Sequence, residues 1–256
     1  MAILPLTSPT YPNQTLSAPS NVSVSNRIPL IFRRLHRFQQ MDFEVALWQL
    51  SYLCLAPKRV YRNVYYHKQT KNTWARDDPA ILILLFCCLL VAAMAWSVVY
   101  SYTFLHAVEV AVVMVLRDFL LVGVISATLL RLFANKVLLS HSSHSSLTDS
   151  SVEWAYAFDV HTNAFFPLYL TLYIAQLFLL PVITKDKWVC LLVGNTLYLA
   201  GFAQYIYGVY LGLSALPFLI RAEILLAPLL PLFASYVVSL LGFNVANHAL
   251  RVYFGS

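Results

Sequence analysis

Apolar residues run almost unbroken through five stretches of this chain, near residues 80–100, 107–130, 164–182, 188–210 and 224–241. At 1.5 Å per residue each approaches or exceeds the ~30 Å hydrocarbon core of a bilayer, so each reads as a membrane-spanning helix. A sixth apolar stretch, 43–56, covers only about 21 Å. It is expected to lie in the interface or to dip in partway, with Pro57 ending it. Residues 1–28 are rich in Ser, Thr, Pro and Asn without hydrophobic period, the pattern of a disordered tail. The stretch 140–151, SHSSHSSLTDSS, reads as a flexible linker between the second and third spans. The other connections are short and favour antiparallel neighbours. Gly194, Gly201, Gly208 and Gly212 recur along the fourth span and its exit, where small residues let helix backbones approach closely. The expected fold is all-α: a polytopic bundle of five transmembrane helices, preceded by a cytosolic segment with a short interfacial helix. The division that follows is a tail at 1–32, a basic and aromatic segment at 33–79, the membrane domain at 80–244 and a lumenal tail at 245–256.

Composition supports the membrane assignment. Apolar residues make up 60% of the 256, charged residues only 11%, and the mean hydropathy is +0.69. A soluble domain carries about 25% charged residues. Cys54, Cys87, Cys88 and Cys190 lie in or beside apolar runs at unrelated spacings, which suits buried thiols better than disulfides or a zinc site. No secretory leader is visible at the start, so the first span is expected to act as the targeting signal.

The net charge of +6 is unevenly spread: nine of the seventeen Lys and Arg residues fall in 33–79. With the N-terminus in the cytosol, thirteen basic residues lie on that side against three on the other, with Arg117 left inside the membrane. That asymmetry predicts a cytosolic N-terminus and a lumenal C-terminus. The acceptor patterns at Asn13 and Asn21 would then face the cytosol and stay unglycosylated. Aromatic residues are interleaved with the cations, so this block is also the largest polar surface available for binding. Its candidate residues are Arg59, Tyr61, Arg62, Tyr65, Trp74 and Arg76. They could grip anionic membrane lipids and offer a platform to a cytosolic protein. RNA is a weaker alternative, since phosphate contacts and base stacking use the same residue types but no RNA-binding signature is present.

Inside the membrane, Arg117 and Asp118 would each cost ~2.5–3.5 kcal/mol at a span centre. Neighbours on an α-helix point about 100° apart and are poorly placed to pair. Asp118 should therefore find a partner on another helix, with Asn195 and Gln204 as candidates. The choice lies between an ion, proton or lipid path and a buried polar clasp that holds the bundle together. The stretch 152–167, VEWAYAFDVHTNAFFP, gathers Glu153, Asp159, His161 and Asn163 just before a span. It has no familiar zinc spacing and no nucleophile beside a base, so it reads as a structural, membrane-surface segment. Nothing marks a catalytic, metal or cofactor site, and the chain is not expected to be an enzyme.

Several strings, taken together, resemble one family. They include Gln40-Met41-Asp42-Phe43-Glu44, Arg59-Val60-Tyr61-Arg62-Asn63, Trp74-Ala75-Arg76-Asp77-Asp78-Pro79, Tyr156-Ala157-Phe158-Asp159-Val160-His161 and Leu192-Val193-Gly194-Asn195-Thr196-Leu197. In these the chain resembles the Unc-fifty family of Golgi multi-spanning membrane proteins, over roughly residues 33–242. The resemblance implies five spans, a cytosolic N-terminus and residence in the Golgi. It implies a part in vesicular transport and in cell-surface delivery of receptor cargo such as nicotinic acetylcholine receptors. It further implies association with a cytosolic guanine-nucleotide exchange factor for Arf GTPases, and RNA binding has been attached to the family. Asp118 looks like a family position, whereas Arg117 and the Ser-rich linker look like departures.

Overall fold

The computed structural model describes residues 41–62, 74–76, 78–139, 151–185 and 187–255. The expected tail at 1–32, all but the last residue of the Ser-rich linker, and Tyr65 lie outside them. Among the described residues the fold is all-helical apart from an isolated bridge between Leu139 and Leu219. A short helix α1 (Phe43–Leu55) precedes five helices long and apolar enough to cross a membrane. These are α2 (Ala80–Val99), α3 (Phe104–Leu138), α4 (Trp154–Ile183), α5 (Trp188–Ser214) and α6 (Ala222–Ser239). A final helix, α7 (Val245–Phe254), follows. The chain is a multi-pass membrane protein.

The spans fall where the apolar runs place them, but α3 and α4 are longer than expected. The third span begins at Trp154 rather than near residue 164, so 152–167 is no surface segment. It enters the bundle, with Asp159, His161, Thr162 and Asn163 all buried. A hydropathy pattern treats those residues as a sign of water. Here they are buried against protein, where polar groups are tolerated if bonded.

α4 is the centre of the bundle and packs against α3, α5 and α1. Its contact with α5 depends on glycine. A Cβ on Gly208 would sit 3.0 Å from the Ala164 Cβ, and one on Gly212 would sit 2.7 Å from the Val160 methyls. The two helices are thus antiparallel, with 164 opposite 208 and 160 opposite 212.

α1 packs against the spans. Its start is held beside the first span, where the Asp42 amide donates to the Asp78 carboxylate at 3.0 Å. Its apolar face, with Leu50 and Leu53, joins the core formed by Leu85 and Leu89 of α2. Its far end, at Leu53 and Cys54, reaches the cavity lined by Pro167 and Leu170 of α4. Leu170 is sixteen residues beyond Trp154, about 24 Å along the helix. The segment packs between α2 and α4, and Val45, Leu47 and Leu55 on its outer side are exposed apolar groups. Pro57 ends α1 and also opens a second helical stretch, 57–62. Proline suits that first position because its missing N–H would have no intrahelical partner there.

The stretch expected to be a lumenal tail is largely the helix α7. Asn244 caps it by accepting from the Asn247 amide at 2.9 Å, and Gly255 closes it in the left-handed region at φ 68°. Ala246 and Leu250 bury its apolar face.

Candidate functional site

Two polar constructions stand out, one on the side of the N-terminal segment and one around Asp118. The first is built on Arg76. Its backbone N–H donates to Asp159 Oδ2 at 2.7 Å, and its guanidinium donates to Asn163 Oδ1. Asp159 and Asn163 are four residues apart and share one face of α4, so a single arginine spans both. His161, two residues from Asp159, faces elsewhere. Its Nδ1 meets the Tyr205 hydroxyl of α5 at 2.8 Å, and its ring lies where a Cβ on Gly123 of α3 would come within 2.8 Å.

The aromatic residues of the basic block join this interior. Tyr61 is 3% exposed and Trp74 6%. Trp74 packs edge-on against Tyr156 of α4 and Phe218. Tyr61 sits against Gly212, its hydroxyl facing Asn163 without completing a hydrogen bond. Burial pushes that hydroxyl well above its ordinary pKa, with the charge of Arg76 opposing, so it stays protonated. Tyr61, Trp74 and Arg76 were expected on a docking surface; they are instead the contacts that fasten the segment to α4. A short aromatic-basic string cannot show from sequence alone which of its faces is buried. Arg59 and Arg62 are exposed, as is Lys58 beside them, and Arg59 lies over the Tyr52 ring at 5.6 Å. No carboxylate among the described residues pairs with these three cations.

The second construction is a clasp. Asp118 lies in a π-helical section of α3, Val113–Leu121. Arg117 Nε donates to Asp118 Oδ1 at 2.8 Å. The adjacent pair was expected not to meet. It does so because the long arginine side chain, 54% exposed, folds back along the widened helix onto a carboxylate only 15% exposed. Asp118 is also held from other helices, as expected, but not by the residues proposed. Tyr173 of α4 and Tyr253 of α7 both donate to Oδ2, at 2.8 and 2.6 Å. The Arg117 guanidinium covers the Tyr253 ring at 4.9 Å.

Asn195 and Gln204 serve other contacts. Asn195 of α5 donates to Ser239 Oγ at 2.9 Å and to the Phe243 carbonyl at 2.8 Å, and accepts from the Val245 amide at 2.8 Å. It anchors the turn between α6 and α7. Gln204 accepts from Thr171 of α4 at 2.9 Å, across the α4–α5 seam. Sequence reasoning missed Tyr173 and Tyr253. The available signal was a tyrosine in an apolar surround, whose hydroxyl must find a partner. Among the described residues no cluster of His, Cys, Asp or Glu could hold a metal ion.

The chain is similar over most of its length to known proteins. It is 47% identical to the human "Protein unc-50 homolog" over 223 residues, covering 86% of this chain and 85% of that one. It is 43% identical to the unc-50 homolog of Dictyostelium discoideum over 230 residues, 89% and 88% of the two chains. It is also 43% identical to the "Protein GMH1 homolog" of Schizosaccharomyces pombe over 223 residues, 87% and 95%. No solved structure matches. The family model named UNC-50 matches residues 31–254, which takes in α1, all five spans and α7, and the chain belongs to the UNC-50 family.

Proposed function

We propose that this protein is a Golgi trafficking factor that supports vesicular transport and surface delivery of receptors by docking an Arf exchange factor on its cytosolic face. The observation that carries the reading is the family likeness, which runs through the membrane bundle and the basic segment alike. The charge asymmetry supports a cytosolic basic segment and a lumenal α7. Burial of Tyr61 and Trp74, and the bonding of half-buried Arg76 to α4, leave Lys58, Arg59 and Arg62 as the exposed cations of the described part of this segment. The buried residues still matter, because they hold those cations on a rigid mount.

The alternative of lipid or ion translocation around Asp118 has the clasp against it. A carboxylate engaged by Arg117, Tyr173 and Tyr253 is built to hold three helices in register. RNA binding by base stacking would need exposed aromatics, and of the candidate aromatics among the described residues Tyr61 and Trp74 are inside.

The test is complementation. In cells lacking the protein, wild-type chain should restore surface levels of assembled receptors, while Arg59→Glu/Arg62→Glu, inserted and Golgi-resident, should restore them poorly. Full rescue by that variant would remove the cations from the function; no rescue by the wild type would remove the receptor role.

A further inference from the structure

A cavity of about 390 Å³ lies between the end of α1 and the α4–α5 seam. Its size falls within the ~300–1,000 Å³ of small-ligand sites. It opens to the outside of the bundle: Gln204 and Cys54 on its wall are exposed, and Gln204 lies ten residues inside the Ser214 end of a spanning helix. Most of the wall is apolar, with Tyr61, Asn163, Thr171 and Gln204 as its main polar groups. Asn163 accepts from Arg76 and lies beside the Tyr61 hydroxyl, which is buried and has no hydrogen-bond partner among the described residues. Gln204 accepts from Thr171, and its amide nitrogen has no partner among them. The Tyr61 hydroxyl and the Gln204 amide are thus free to donate to a ligand. Pro57 and Tyr61 line the cavity from the stretch 57–62, whose cations Lys58, Arg59 and Arg62 are exposed.

We infer that this groove is a binding site for an anionic glycerophospholipid of the leaflet that holds the N-terminal segment. The phosphate and any further headgroup charge meet the cations, the ester carbonyls accept from the Gln204 amide and the Tyr61 hydroxyl, and an acyl chain follows Pro167 and Leu170. Free donors beside exposed cations suit a ligand that is rich in acceptors and negatively charged. A neutral sterol would leave both features unused. The lipid would brace α1 against α4 beside the proposed docking cations.

The test uses purified full-length protein in mild detergent, incubated with dioleoyl phosphatidylserine or dioleoyl phosphatidylcholine and assayed by native mass spectrometry. Wild type should retain one phosphatidylserine per chain, about fivefold or more over phosphatidylcholine. Gln204→Leu should lower retention of both lipids. Cys54→Trp, which narrows the groove from the α1 side, should do the same if it folds; if it does not, Gln204→Leu decides. Arg59→Gln/Arg62→Gln should abolish the preference and leave phosphatidylcholine retention intact. Equal phosphatidylserine retention by wild type and Gln204→Leu would overturn the site, and an undiminished preference in the arginine variant would overturn the headgroup assignment. Gln204→Leu keeps every cation, so its recruitment of exchange factor in cells separates a failure of this site from a failure of the docking proposal.

Discussion

Removing single hydroxyls from the Asp118 clasp gives a sharp test of how the bundle is held. Asp118 Oδ2 accepts from Tyr173 and Tyr253, whereas Oδ1 accepts from Arg117. A hydrogen bond to a charged group is worth about 1.5–3 kcal/mol in soluble proteins. Cycles within membrane bundles average nearer ~0.6 and reach ~1.7 kcal/mol. The smaller scale governs a single deletion here, because Oδ2 keeps its second donor. Tyr253→Phe or Tyr173→Phe alone should therefore cost about 1 kcal/mol. The double variant leaves a mostly buried carboxylate oxygen with no donor, so its cost should exceed the sum of the singles by about 1 kcal/mol. Tyr253→Phe should also loosen α7, which is held nearby by the Tyr102 hydroxyl on the Phe254 carbonyl and by the stacking of Phe254 on Trp96 at 4.7 Å. The assay is reversible unfolding of the full chain in mixed micelles, followed by helix content, for wild type, both singles and the double. Strict additivity, with singles below about 0.3 kcal/mol, would refute the clasp as a coupled unit.

Three further outcomes follow from the geometry. Arg76→Ala should destabilise by about 2–3 kcal/mol in the same assay, since it strands Asn163, while Arg62→Gln on the exposed side should stay within about 0.5 kcal/mol. Gly212→Ala should cost about 1–3 kcal/mol by overpacking, because the new methyl would meet Val160 at 2.7 Å. A glycosylation acceptor engineered after Arg251 on an extended tail should be modified and Asn13 and Asn21 should stay bare; sugar at either asparagine would reverse the orientation.

The membrane spans were legible because an apolar run of that length has few alternatives in water. The extent of α4 was not, for a physical reason: Asp159 and Asn163 are bonded by Arg76 and His161 by Tyr205 inside protein, and hydropathy cannot tell a bonded interior from a surface. That Asp118 needs a partner on another helix followed from the cost of stranding a carboxylate. The partner's identity did not, since it depends on how α4 and α7 are rotated, which no local pattern records. The same limit explains Tyr61, Trp74 and Arg76. Their residue types suited a docking surface, but one face of the segment turns inward onto α4. α7 carried a readable signal in Asn244, Gly255 and the spacing of Ala246, Leu250 and Tyr253. Its ten residues were too few to read as more than a tail.

The most direct measurement of the docking role is the amount of Arf exchange factor bound to Golgi membranes in cells whose only copy of this protein is Arg59→Glu/Arg62→Glu. The variant leaves Arg76, Tyr61 and Trp74 in place, so the bundle should insert and reach the Golgi as wild type does. The account predicts a marked fall in Golgi-bound exchange factor. Wild-type recruitment by a correctly inserted and localised variant would contradict it.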